Sequence, residues 1–142
     1  MKKIILLIIS LLLVVGCGKD STKELVCNKP HNETDTIVKQ QVIATYNEDK
    51  LENIEMTVST RIPSESLATT YMNTLKESEM ANYKGTDSVS VDTKAEGDIV
   101  SIITNINYRT FTEKDASIIA IGKDAKYEDL KTRFEKIGYV CE

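Results

Sequence analysis

The 142-residue chain contains one histidine, two prolines, six glycines and three cysteines. A lone histidine removes most imidazole-based catalysis and most metal chemistry. Sparse glycine and proline argue against a collagenous or disordered chain. Also missing are a Gly-x-Ser-x-Gly elbow, a glycine-rich phosphate loop, a Cys-x-x-Cys pair and a His-x-x-x-His pair. Basic residues are outnumbered, 18 against 22 acidic ones, for a net charge of −4. That balance opposes a nucleic-acid partner, which needs a basic footprint. No motif implies a cofactor or a metal.

What the chain does have is an uneven distribution of apolar residues. Twelve of the first sixteen are apolar. Met1-Lys2-Lys3 precedes the run Ile4–Leu13, broken only by Ser10, and then Val14-Val15-Gly16-Cys17. A basic start, an apolar stretch of about twelve residues and a small residue at its end are the parts of a secretory signal peptide. As a helix the stretch spans about 18 Å, short of the roughly 30 Å hydrocarbon core.

Gly16-Cys17-Gly18, followed by polar Lys19-Asp20-Ser21, resembles the lipobox of bacterial lipoproteins. The resemblance implies diacylglyceryl transfer to the Cys17 thiol and cleavage between Gly16 and Cys17. The mature protein is then extracytoplasmic, anchored to the bacterial cell membrane by its N-terminal lipid. Two acyl chains on one residue meet the requirement for stable anchoring. Residues 1–16 form the signal peptide in this reading, 17–24 a lipidated flexible tether, and 25–142 a single domain. The bland alternatives are an ordinary signal peptide with a chance cysteine, or an uncleaved anchor. Without Lys2 and Lys3 the balance is 16 basic to 22 acidic residues. Such a domain has no polybasic attraction to anionic lipid, so the acyl chains hold it alone.

Beyond the tether, Leu25-Val26-Cys27 reads as a first short strand, bounded by Asn28-Lys29-Pro30. From Thr36 to Tyr46 the residues Val38, Val42, Ala44 and Tyr46 alternate with polar ones. From Leu51 to Ile62 the set Ile54, Met56, Val58 and Ile62 does the same. A period of two on both sides of Asn47-Glu48-Asp49-Lys50 predicts a long hairpin with one buried face. Pro63 stops the strand and Ser64 caps a helix whose stripe is Leu67, Ala68, Tyr71, Met72 and Leu75. Gly85 lies past its end. Val89 and Val91 open a second hairpin that turns at Ala95-Glu96-Gly97-Asp98 and returns over Ile99–Phe111.

Thr112 to Ala125 supports two readings: a short helical turn capped by Thr112 and Asp115, or a brief strand over Ser117–Ile121. After Asp124 a second helix is predicted, with Tyr127, Leu130, Phe134 and Ile137 in one stripe. Gly138 ends it, and Tyr139-Val140 is placed over its last turn. The order β-ββα-ββα predicts an α+β fold, an antiparallel sheet of about five strands with two amphipathic helices packed on one face.

With Cys17 assigned to lipid, Cys27 and Cys141 remain, an even number in an exported chain. They sit in similar settings, Leu-Val-Cys-Asn and Tyr-Val-Cys-Glu, near the two ends of the domain. Two states are open to them: a disulfide closing a long loop, or two buried thiols acting as small hydrophobes. His31, beside Pro30, reads as a solvated loop residue. The acidic pairs Glu48 with Asp49, and Glu96 with Asp98, fall in predicted turns where solvation explains them. Neither turn has the alternating ligands of an EF-hand. Asn32-Glu33-Thr34 fits a glycosylation sequon but carries no weight in a bacterial lipoprotein.

With its elements placed, the whole chain resembles the YehR-like family of small bacterial lipoproteins. The resemblance rests on the lipobox and on a strand pair turning at Tyr46-Asn47-Glu48-Asp49-Lys50-Leu51. It continues through a helix over Leu67–Tyr83, a second strand pair over Val89–Asn107, and a closing helix over Leu130–Tyr139 that ends in Gly-aromatic. It implies a lipid-anchored α+β domain and supplies no catalytic residues to carry over. The Cys27 and Cys141 pair is not part of that pattern.

The functional expectation is a non-enzymatic binding or interaction module at the membrane, its partner an unknown protein, glycan or small molecule. Two alternatives stand beside it. A carboxylate-based envelope hydrolase predicts a cleft holding an Asp or Glu with a raised pKa. A small solute-capture protein for a transporter is the other, although 126 residues is short for a two-lobed receptor.

Overall fold

The computed structural model describes residues 21–142. The strands are β1 (Thr22–Asn28), β2 (Ile37–Asn47), β3 (Lys50–Arg61), β4 (Val89–Glu96), β5 (Ile99–Asn107) and β6 (Val140–Cys141). The helices are α1 (Ala68–Asn82), entered through a 3₁₀ turn at Glu65–Leu67, a four-residue α2 (Glu113–Ala116), and α3 (Tyr127–Lys136). The strands form one antiparallel sheet in the order β4-β5-β3-β2-β1-β6. The α+β class is as expected, with six strands instead of about five.

The added strand is Val140–Cys141, which pairs with β1 through Cys27 and Asn28. Two residues carry no readable period, so only the partner strand reveals it. At the other end, β1 starts at Thr22. Thr22, Lys23 and Glu24, expected in the tether, lie opposite Asn47, Tyr46 and Thr45. These three are exposed and polar, which concealed the strand, because an edge segment is held by backbone hydrogen bonds as well as by burial.

The buried face follows from the alternation. Leu25 and Cys27 on β1, Val42, Ala44 and Tyr46 on β2, Ile54 on β3, and Val100 and Ile106 on β5 are all buried. Leu130 and Phe134 of α3 pack on the β1–β2 side of this surface, and Ala68, Met72 and Leu75 of α1 pack around Ile62 and Val100. Both helices therefore cover one face. Their stripes are narrower than the periodicity predicts. Leu67, Tyr71 and Ile137 are exposed, the last of them at the C-cap of α3.

The segment 112–125 resolves in favour of the capped turn. Thr112 Oγ1 accepts from the Asp115 backbone N–H at 3.4 Å, and Asp115 Oδ2 accepts from Thr112 N at 2.7 Å. The Thr112 backbone N–H holds the buried Asp115 carboxyl below its ordinary range. No strand forms over Ser117–Ile121, although Ile119 is buried. Two core tyrosines hold the segment instead. Tyr108 Oη donates to the Ile121 carbonyl at 3.0 Å and Tyr46 Oη to the Ala125 carbonyl at 3.2 Å.

Burial, helped by the Asp129 carboxylate, pushes the Tyr46 hydroxyl up to about 12, and burial raises Tyr108 as well. An unfolded tyrosine ionises near 10, so the folded chain holds these protons more tightly than the unfolded one. Their stabilising contribution is complete below pH 10 and is lost as the pH climbs through 12. Alkaline titration followed by tyrosinate absorbance and circular dichroism should show ionisation of these two rings coinciding with loss of structure. Tyr46→Phe should shift that loss to higher pH. An unchanged profile in Tyr46→Phe would contradict the assignment.

Candidate functional site

The face of the sheet opposite the helices is open, and it is polar along β3 and β5. Asn53, Glu55, Thr57 and Ser59 of β3 lie opposite Asn107, Asn105, Ile103 and Ser101 of β5. Hydroxyls and amides predominate there.

Two bulges re-aim side chains at the ends of this face. Between Ile37 and Lys39 the β2–β3 register shifts, leaving Val38 as the extra residue. Val38, expected on the buried side with Val42, lines a depression on the open face instead. A second shift, between Thr45 and Tyr46, leaves Glu52 as the extra residue on β3. Glu52 accepts a hydrogen bond from Arg109 at 2.6 Å, which holds its carboxyl below the ordinary range.

The depression has a volume of about 450 Å³ and is lined by residues of β2, β3, β4 and β5. Its floor includes the Ser59 and Ser101 hydroxyls, 2.8 Å apart. Ser59 is only 6% exposed although it points to the solvent side. Lys39 and Lys94 flank this pair, because the register places Lys39 opposite Ser59, Ser59 opposite Ser101, and Ser101 opposite Lys94. Glu96 pairs with Lys94 at the rim, and Lys94 lowers the Glu96 pKa. Lys39 has no carboxylate within 4.0 Å among the described residues. Alternation along each strand was legible in the sequence, but the juxtaposition of four strands was not, so this row escaped the sequence reading.

Of the residues singled out from sequence, Gly16 and Cys17 lie outside the described residues. Cys27 and Cys141 are brought together as a disulfide, with Cα atoms 4.0 Å apart and a sequence separation of 114. Val26 and Glu142 exchange both backbone hydrogen bonds beside them, at 3.2 and 2.9 Å. The cysteines therefore occupy the non-hydrogen-bonded pair, where facing side chains approach most closely.

His31 is exposed in the β1–β2 connection. Glu48 and Asp49 form the exposed two-residue β2–β3 turn, with left-handed φ of 48° and 64°. Asp98 pairs with Arg61 at 3.6 Å, while Glu96 pairs with Lys94, so the two acids of the β4–β5 turn are engaged separately. Among the described residues no three His, Cys, Asp or Glu side chains cluster as a metal site. The carboxylates with resolved shifts, Glu52, Glu96 and Asp115, all move downward.

Comparison of the whole fold with solved structures places it. An NMR structure of E. coli YehR superposes with a TM-score of 0.61 at 11% identity, over 87% of this chain and 92% of that one. The chain has the YehR fold. An NMR structure of a Streptococcus pneumoniae TIGR4 protein matches similarly, with a TM-score of 0.63 at 14% identity, over 94% of this chain and 92% of its own. No family model and no curated protein matches the sequence. The YehR-like relationship expected from the order of elements is thus one of fold, carried by topology where identity is low.

Proposed function

We propose that this chain is a lipoprotein of the bacterial envelope, tethered through Cys17, and that its domain is a non-enzymatic binding module acting through the open face of the sheet. The observation that carries the binding reading is the depression over Ser59 and Ser101, a concavity of mixed polar and apolar lining on the open face. A hydrolase built on carboxylates needs an acid held protonated near neutral pH, and the resolved carboxylate shifts run the other way. Among the described residues no helix is long and apolar enough to cross a membrane. Lipid on Cys17 is the attachment that the Gly16-Cys17 sequence supports.

Two measurements test the two halves of this reading. In cells fed radiolabelled palmitate, the wild-type chain should take up label and fractionate with membranes. Cys17→Ala should lose both properties, and label retained by that variant would remove the anchor. For the binding half, a membrane-impermeant lysine acylating reagent is applied to intact or wall-permeabilised cells and to the purified full chain. Lys39 and Lys94 should be protected severalfold in cells relative to Lys123 and Lys136, which lie away from the open face. Equal labelling of all four lysines in both settings would remove the open face as a binding surface.

A further inference from the structure

The sheet ends on one side at β4, whose outer edge has no partner strand among the described residues. We propose that this edge is the contact of a symmetric homodimer, β4 of one copy lying antiparallel against β4 of a second. This contact is separate from the open-face binding surface and does not depend on it.

Backbone parity fixes what the edge offers. The Asn107 N–H donates to the Ser88 carbonyl at 2.8 Å, and the Tyr108 N–H donates to the Glu52 carbonyl, on the other side of β5, at 2.8 Å. Ser88 and Asn107 continue the register that sets Val89 against Ile106. Ser88, Ser90, Asp92, Lys94 and Glu96 therefore turn their peptide groups toward β5. Those of Val89, Val91, Thr93 and Ala95 point outward, a template for a further strand.

Charge selects a second copy, in one register. Asp92, Lys94 and Glu96 lie on the open side of β4, by alternation with Val91 on the buried side. A two-fold pairing centred on Thr93 sets Asp92 opposite the partner's Lys94, and Lys94 opposite the partner's Asp92. Both are non-hydrogen-bonded pairs, with Cα atoms about 4.5 Å apart, where facing side chains approach most closely. Moving the centre to Asp92 sets that carboxylate against its own copy. Moving it to Lys94 does the same to the ammonium group. Charges that ordinarily blunt an edge thus reject the neighbouring registers and favour this one. Its ladder makes roughly six main-chain hydrogen bonds, through Thr93 and through Val91 with Ala95 in both directions.

Shape complements the charge. Met80 of α1, 53% exposed, lines a groove of about 320 Å³ with Val89 and Val91. No β5 residue lines that groove, so it opens outward from β4. In the Thr93-centred register the partner's Ala95 lies opposite Val91 and the partner's Gly97 opposite Val89. Both are small, so the second strand fits beside Met80 and covers it.

The ion pairs at the edge accommodate this contact. Lys76 reaches from α1, on the other side of the sheet, to Asp92 at 3.6 Å, and its stem crosses the edge. The two side chains are 41% and 70% exposed, and so exposed a pair contributes little stability. The partner's Lys94 takes the place of Lys76. Lys94 also keeps Glu96, because an ammonium group has donors for two carboxylates.

The test uses the lipidated full chain in neutral detergent micelles, over about a hundredfold range of concentration. Sedimentation equilibrium reads the mass, and NMR reads backbone amide exchange. A monomer–dimer equilibrium is expected. Amides of Val89, Val91, Thr93 and Ala95 should become protected as concentration rises, while those of Ser90, Asp92 and Lys94 are protected throughout. A chain that stays monomeric, or a dimer that protects other amides instead, overturns the proposal. Asp92→Lys and Lys94→Asp should each weaken the dimer about tenfold, by creating two like-charge pairs. An equal mixture of the two variants should recover the wild-type strength as a heterodimer, and no recovery overturns the register. Unchanged exchange of the β3 and β5 amides establishes that both variants are folded. Lys76→Ala clears the edge and should tighten the dimer severalfold, whereas a weaker dimer in that variant places the contact elsewhere. Lys39 lies on β2, with β5 and β3 between it and this edge. Its protection in cells therefore reports the open-face reading alone, and either reading can fail without the other.

Discussion

Replacing Cys27 and Cys141 together by alanine should lower the unfolding free energy by about 3–5 kcal/mol. The two cysteines are 114 residues apart in sequence. Cross-linking them removes conformational freedom from nearly the whole unfolded domain, and the effect grows only logarithmically with loop length. Alanine is the right probe because Cys27 is fully buried, and a serine there would add an unpaired hydroxyl to the core. Urea unfolding of the full chain, with and without reductant, measures the effect. Reduced wild type and the double variant should share one lowered midpoint. Native-state hydrogen exchange adds a spatial check. The Val26 N–H, bonded to the Glu142 carbonyl, should open locally in the variant while amides of β3 and β5 stay closed longer. Equal stability of oxidised and reduced wild type would contradict the account.

Tyr108→Ala should cost about 3–5 kcal/mol, the range for deleting a buried aromatic side chain. Tyr108 is fully buried and stacks on Phe111 with ring centroids 4.8 Å apart. Its loss opens a cavity and also leaves the Ile121 carbonyl without its donor. Tyr108→Phe separates these causes. It keeps the ring and removes the hydrogen bond, so it should cost about 1 kcal/mol. Thermal or urea unfolding of the two variants measures both numbers. A Tyr108→Phe loss as large as that of Tyr108→Ala would mean that the hydroxyl, and not packing, dominates. In either variant the 119–125 segment should exchange its amides faster, since the side-chain bonds left to its carbonyls are those of Tyr46 to Ala125 and Arg133 to Ala120.

The parts of the fold that were legible in the sequence share one property. β2 and β3 are long and alternate between a buried and an open face, so the period of two survives over many residues. Ser64, Thr112 with Asp115, and Gly138 mark their elements through local chemistry, a side chain or a left-handed φ acting within a few residues. Elsewhere that logic fails. β6 has two residues and exists because β1 offers an edge and the disulfide holds it there. Thr22–Glu24 look like tether because their strand state comes from backbone pairing with β2 and leaves the side chains exposed. Val38 obeys the period on paper, yet a bulge carries it to the other face.

The candidate site divides the same way. The proposed lipid attachment at Cys17 rests on a local pattern alone, the apolar run ending in Gly16-Cys17. Lys39, Ser59, Lys94 and Ser101 become a row only through strand order and register. By itself the sequence determined the alternating faces, the capped turns, the α+β class and the N-terminal signal pattern, because each depends on interactions within a few residues. The tertiary structure alone decided which cysteines meet, where the sheet ends and which polar side chains share the open face. Those outcomes depend on contacts between residues far apart in the chain, and no local period encodes them.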